Sequence, residues 1–162
     1  MKRNFWIWII ALLGVMACTK GGDLYEAKGN MFTVSSAASA RQLLPAIDTP
    51  SVATLSGVYD EGLNNLTFSL TWTDLWRDTK RDTITAVAFY GPASATGNGE
   101  LVRSLTFINP NRNGTANLGL SGGTSFSTQQ QTDLLAGSYY FIITTRRYPA
   151  GIVRGQLSLE KK

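Results

Sequence analysis

The chain has 162 residues, with 15 Lys and Arg against 11 Asp and Glu, one cysteine and no histidine. A lone cysteine excludes an intramolecular disulfide and a CxxC redox or metal site. The lack of histidine removes the commonest general base and the usual ligand for zinc or copper.

Lys2 and Arg3 precede an uncharged apolar run from Phe5 to Ala17, which ends against Cys18. This is the layout of a signal peptide. A helix of that length reaches only about 20 Å at ~1.5 Å per residue, short of the ~30 Å hydrocarbon core of a bilayer. The segment therefore targets the chain and does not span.

Val15-Met16-Ala17-Cys18 is similar to a bacterial lipobox, in which small residues precede a cysteine that is acylated and becomes the mature N-terminus; Met16 departs mildly from the usual Ala or Ser. The expectation is a signal peptide over residues 1–17 and lipidation of Cys18, giving membrane attachment through two or more acyl chains. The alternative is an ordinary secretory signal, cut after Ala17 or a little later, with an incidental cysteine. Removing residues 1–17 takes Lys2 and Arg3 with it, so the 13 remaining basic residues nearly balance the 11 acidic ones. The basic character of the whole chain thus does not argue for nucleic acid as a partner.

Residues 18–30 are polar and glycine-containing, and read as a tether. Residues 31–162 suit one domain, built of short β segments between Gly, Asn, Asp and Pro. Strands are expected around Met31 to Ser35 and Ser39 to Leu44. Val52 to Tyr59 should pair antiparallel with Leu63 to Trp72 across the turn Asp60-Glu61-Gly62-Leu63-Asn64-Asn65. In the second of these, Leu66, Phe68, Leu70 and Trp72 alternate with Asn65, Thr67, Ser69 and Thr71, so one face is core and the other wet. Further strands are expected over Thr83 to Tyr90, Leu101 to Ile108, Thr115 to Leu120, Ser138 to Thr145 and Ile152 to Leu159. Between Ser127 and Leu135, Ser127 with Gln130 forms a capping-box pattern and Gly137 a stop, which predicts one short helical turn. The fold class is all-β: an antiparallel β-sandwich of Greek-key, immunoglobulin-like type, with seven to eight strands.

Two stretches are more specific. Ala136-Gly137-Ser138-Tyr139-Tyr140-Phe141-Ile142-Ile143-Thr144-Thr145, followed by Tyr148-Pro149-Ala150-Gly151-Ile152-Val153-Arg154-Gly155-Gln156-Leu157, resembles the closing hairpin of the CHRD domain, the module named for chordin. Ala86 to Ala93, then Gly97 to Val102, resembles its central motif, and Leu44-Pro45 to Gly57 its opening strand and turn. The resemblance covers about residues 38–160. The family pattern has His-x-His, a third His and a Glu where this chain has Ala88, Tyr90, Thr144 and Ile152. Ala88 and Tyr90 are two apart on one strand and share a face, where a His pair would chelate a metal or exchange protons. Alanine does neither, and tyrosine, with pKa ~10, is a poor substitute.

Other chemistry finds little support in the residues. Asp74, Asp78 and Asp82 lie among Arg77, Lys80 and Arg81 without the spacing of a calcium loop. Gly97-Asn98-Gly99 and Ser121-Gly122-Gly123-Thr124 lack the context of a phosphate loop and read as turns. Nothing in the spacing of Glu61, Glu100 and Asp133 brings two of them together as a glycosidase pair. Trp72 and one of Tyr139 and Tyr140 are assigned to the core, while Trp76 and Tyr148 are candidates for an exposed contact surface. Val153, Leu157 and Leu159 define an inward face, which puts Arg154 and Gln156 on the other. There, as the resemblance implies, Arg154 is expected to pair with a carboxylate or with backbone carbonyls on a neighbouring strand.

The resulting expectation is a non-catalytic envelope protein, lipid-anchored at Cys18, without metal or cofactor, whose partner is an envelope protein or glycan. The absence of Asp after the cysteine favours the outer membrane. The rival readings are a degenerate metal-dependent or enzymatic CHRD protein and a carbohydrate-binding module.

Overall fold

The structure, a computed structural model, describes residues 29–77 and 81–162. Cys18 and nearly all of the expected tether lie outside the described residues, as does Asp78. No helix among the described residues is long and apolar enough to cross a membrane.

Among the described residues nine strands form: β1 (Met31–Ser39), β2 (Val52–Asp60), β3 (Asn65–Thr73), β4 (Ile84–Gly91), β5 (Glu100–Asn109), β6 (Gly114–Leu120), β7 (Tyr140–Thr145), β8 (Val153–Gln156) and β9 (Ser158–Lys161). All pair antiparallel. The order is β5-β4-β7-β8-β1-β2-β3-β6, with β9 added beside β1. The period-2 pattern of β3 appears as predicted, with Leu66, Phe68, Leu70 and Trp72 buried and Thr67, Thr71 and Thr73 exposed. At ~1.5–3 kcal/mol for each fully buried side chain, that face anchors the β2–β3 hairpin. Asn64 takes the left-handed conformation in its turn (φ 49°), which asparagine tolerates well.

The sheet curls so that its two halves pack as layers. Phe68 of β3 meets Phe89 of β4 edge-on at 5.6 Å, and Trp72 of β3 meets Phe107 of β5 at 5.7 Å, geometries that aromatic rings prefer. The expected antiparallel β architecture is present, but the two layers belong to one continuous ladder. They are joined where Arg154 of β8 pairs with Ser39 of β1. The helix α1 (Thr128–Leu135) carries the expected capping box: the Ser127 hydroxyl accepts from the Gln130 N–H, and the Gln130 side chain accepts from the Ser127 N–H. Gly137, just past its end, has the left-handed φ of 68° of a helix stop.

Three local expectations are corrected. No strand forms over Ser39–Leu44: β1 ends at Ser39, and Ala40–Gln42 is a 3-10 turn. There the Ala40 carbonyl accepts from the Leu43 and Ile47 N–H groups, so a ladder acceptor is spent locally. The segment Ile152–Leu159 is two strands, interrupted at Leu157: β8 lies between β7 and β1, and β9 pairs with β1. This split raises the count from the expected seven or eight to nine. Lastly, both Tyr139 and Tyr140 are buried, at 0% and 2% exposure, in two different clusters. The face of β7 expected to be wet is covered by other chain segments.

Two outcomes follow. A Cβ on Gly155 would lie 2.8 Å from the Ala38 Cβ and 2.5 Å from the Ser36 hydroxyl, so β8 approaches β1 closely only because glycine stands there. Gly155→Ala should lower stability by about 1–3 kcal/mol, the usual cost of overpacking; an unchanged urea midpoint would contradict this. Burial, reinforced by nearby carboxylates, pushes the Tyr59 and Tyr139 hydroxyls up from 10.0 to about 12. The folded chain holds those protons when the unfolded chain has released them, so the stabilisation is complete below pH 10 and is lost as pH rises through about 12. Denaturation followed between these pH values should show a steep decline, shallower in Tyr59→Phe.

Candidate functional site

The most developed polar constellation lies on the outer face of β4, β7 and β8. In-register pairing sets Tyr90 beside Tyr140, Ala88 beside Ile142, and Ala86 beside Thr144. On the other side of β7, Ile142 pairs with Arg154, and Tyr140 with Gln156. Alternation along each strand then puts Ala88, Tyr90, Tyr140, Ile142, Thr144, Arg154 and Gln156 on one face. Leu43, Tyr140 and Ile142 form a second small core there, with Ile47, Tyr90 and Ala93 packed against it.

A loop over residues 92–99 closes this face. At its base Gly91 and Gly99 touch: a Cβ on Gly99 would lie 2.6 Å from the Gly91 Cα. The Tyr140 hydroxyl accepts from the Gly99 N–H at 3.0 Å and donates to the Gly99 carbonyl at 3.4 Å. Arg154 Nη2 donates to the carbonyls of Ser94 (3.0 Å) and Gly97 (2.7 Å). Gln156 Nε2 donates to the carbonyls of Ala93 and Gly137, and Asn98 donates to the Leu44 carbonyl. Each donor satisfies a loop carbonyl that lacks a ladder partner.

Arg154 is 1% exposed, and its guanidinium carbon sits 3.8 Å from the centre of the Tyr140 ring. The Tyr140 ring in turn stacks on Tyr90 at 5.4 Å, nearly parallel. Burial pulls the Arg154 guanidinium below its ordinary value, with Tyr140 opposing; an arginine so placed still carries its charge near neutral pH. A buried cation is costly unless compensated, and here two carbonyls and a ring face supply the compensation. The expectation of backbone carbonyls as partners is met, but they come from a loop and not from a neighbouring strand. Of the six buried side-chain atoms without a hydrogen-bond partner among the described residues, two belong to this cluster: Arg154 Nη1 and Gln156 Oε1.

Ala88, Tyr90 and Thr144, singled out in the sequence, are brought together on this face. The Thr144 hydroxyl lies 2.9 Å from that of Thr85. The Tyr90 hydroxyl is pushed up by burial first and Tyr140 second, so it stays protonated at neutral pH and is no base. Ile152 is separate, fully buried in the main core.

The aromatic surface expected from Trp76 and Tyr148 is not formed as such. Trp76 is 7% exposed and belongs to the main core, which corrects its assignment; Tyr148 is half-buried against the same core. The two side chains do line one small cleft with Asp48, Thr49 and Arg147. Asp74 forms a 2.6 Å ion pair with Arg112. Asp82 accepts from the backbone of Thr83 and Arg147. Among the described residues no group of three or more Cys, Asp or Glu is placed to hold a metal ion. Glu61 accepts from Asn30, across the sheet end, and Asp133 from Gln129 one turn earlier in α1.

Sequence reasoning identified Arg154 and Gln156 as outward-facing but missed the cover over them. The loop offers its backbone carbonyls, and these carry no side-chain signature. Compared with known proteins, residues 33–157 match the family model described as CHRD domain. No curated protein and no solved structure matches the chain.

Arg154→Ala would remove one donor from the Ser94 carbonyl, which keeps the Gly97 N–H, and the side-chain donor of the Gly97 carbonyl, at about 1.5–3 kcal/mol for each hydrogen bond to a charged group. The melting temperature should fall accordingly. Arg154→Lys should recover little, since an ammonium lacks the planar fork that meets two carbonyls and stacks on a ring; full recovery would show that charge alone suffices.

Proposed function

The chain belongs to the CHRD domain family, and from that premise we propose that it is a lipid-anchored, non-catalytic binding module of a Gram-negative cell envelope, held through Cys18 and engaging an envelope protein or glycan. The observation that carries the reading is the outer face of β4, β7 and β8. Its polar side chains are spent on packing and on holding a loop, and they leave donors and acceptors over without forming a proton-transfer pair. Ala88 and Thr144 have no acid–base chemistry near neutral pH, and the raised Tyr90 hydroxyl stays neutral there. A partly satisfied polar cluster beside a cavity suits recognition, in which a ligand supplies the missing partners.

The anchoring half of the proposal rests on residues 1–18: two basic residues, an apolar run too short to span, and the chain's one cysteine where that run ends. Two or three acyl chains on Cys18 would hold the domain stably, at ~0.8 kcal/mol per buried methylene.

Expression with a labelled lipid precursor should mark the wild-type chain and fractionate it with membranes. Cys18→Ser should lose both the label and the membrane association; retention of the label would place the acylation elsewhere. Incubated with envelope extracts, the purified chain should bind material without converting it, and turnover of any component would overturn the non-catalytic reading.

A further inference from the structure

The leftover atoms of Arg154 and Gln156 have a cavity beside them. A pocket of about 330 Å³ lies between the Ala40–Gln42 turn and the loop over residues 92–99, lined among others by Arg41, Gln42, Ala95, Thr96, Arg154 and Gln156. Its volume falls in the range of small-molecule sites, roughly 300–1,000 Å³. Two of its walls are arginines. Arg41 is exposed and brings a positive charge to the rim, while Arg154 is buried and held by the Ser94 and Gly97 carbonyls and the Tyr140 ring. No Asp or Glu lines the pocket.

The unmet hydrogen bonds set the chemistry of an occupant. Arg154 Nη1 is a buried charged donor without an acceptor, and Gln156 Oε1 is a buried acceptor without a donor. The orientation of the Gln156 amide is settled by its Nε2 contacts with the carbonyls of Ala93 and Gly137, so Oε1 must accept. A complementary ligand therefore presents an anionic acceptor to the guanidinium and, close to it, a hydroxyl donor to the amide oxygen. A plain anion leaves Gln156 Oε1 without a donor, and a neutral polyol offers Arg154 Nη1 no charged acceptor.

We propose that this pocket binds a hydroxylated carboxylate of the kind carried by a uronic-acid unit, with the carboxylate between Arg41 and Arg154 and a hydroxyl on Gln156. The assignment rests on the binding role proposed above and names its ligand class. A free sugar acid and a unit within an acidic glycan share this chemistry, and the length of the probe tells them apart.

Calorimetry on the full chain in mild detergent would use galacturonic acid, its trimer, and the neutral galactose trimer. The acidic trimer should bind at least tenfold more tightly than the neutral one, and the affinity should fall as salt rises. Binding of the monomer equal to that of the trimer assigns the pocket to a free sugar acid; a clear gain with length assigns it to a glycan. Arg41→Gln should weaken binding five- to tenfold, and Ala95→Glu, which places a carboxylate in the pocket, should abolish it. Both positions are exposed, so both variants should keep the wild-type melting temperature. Equal affinity for acidic and neutral trimers, no binding of either acidic probe, or undiminished binding in Ala95→Glu would overturn the site. In the last case the binding role itself would stand, with its ligand held elsewhere. Cleavage of the trimer would instead overturn the non-catalytic role.

Discussion

The four residues of β8 carry the constraint on which the rest of the molecule depends. Through its backbone, Arg154 pairs with Ile142 of β7 and with Ser39 of β1, so the ladder passes at this point from one layer to the other. Gly155 permits the close approach, since any side chain there would strike Ser36 and Ala38. The Arg154 side chain, directed to the opposite face from the main core, then needs partners for a buried charge. It finds them in loop carbonyls that themselves lack ladder partners. One strand thus joins the layers with its backbone and organises the outer face with its side chains.

That double use explains why β7 is buried on both sides. Its inward residues Phe141 and Ile143 fill the main core, while Tyr140 and Ile142 form the small outer core beneath residues 43–47 and 92–99. A strand in an antiparallel sheet ordinarily keeps one face wet. Covering the second face creates a shell of limited depth, in which polar groups are desolvated yet lie next to a pocket. Such a setting strengthens electrostatic recognition and makes each unmet hydrogen bond costly. It is also the face to which Ala88, Tyr90 and Thr144 belong, as a small apolar residue, a member of the ring stack and a member of a hydroxyl pair.

Much of the architecture could be read from residue order. The alternation in β3, the turn at Asp60–Asn65, the capping box of Ser127 and Gln130 and the stop at Gly137 are local signals. Each is generated by a few neighbouring residues acting on their own backbone, and each appears where it was expected. The misread places have a different cause. Ser39–Leu44 spends the Ala40 carbonyl on its own turn. Ile152–Leu159 has one continuous apolar alternation but pairs with β7 only as far as Gln156. Trp76 follows a strand, yet it folds back into the core, where its carbonyl accepts from Arg112. In all three, the deciding partner is remote or is a backbone atom.

The sequence by itself determined that this is an antiparallel β-protein without histidine, because strand alternation, turn residues and composition are all properties of local order, while its likeness to the CHRD domain rests on the motifs within residues 86–102 and 136–157. Only the tertiary structure decided that Arg154 is a buried cation over a tyrosine ring, that two layers share one ladder, and that a pocket opens beside unmet donors and acceptors. Burial, stacking and hydrogen-bond satisfaction depend on which distant segments meet, and a loop whose contribution is its backbone carbonyls leaves no trace of that meeting in its side chains.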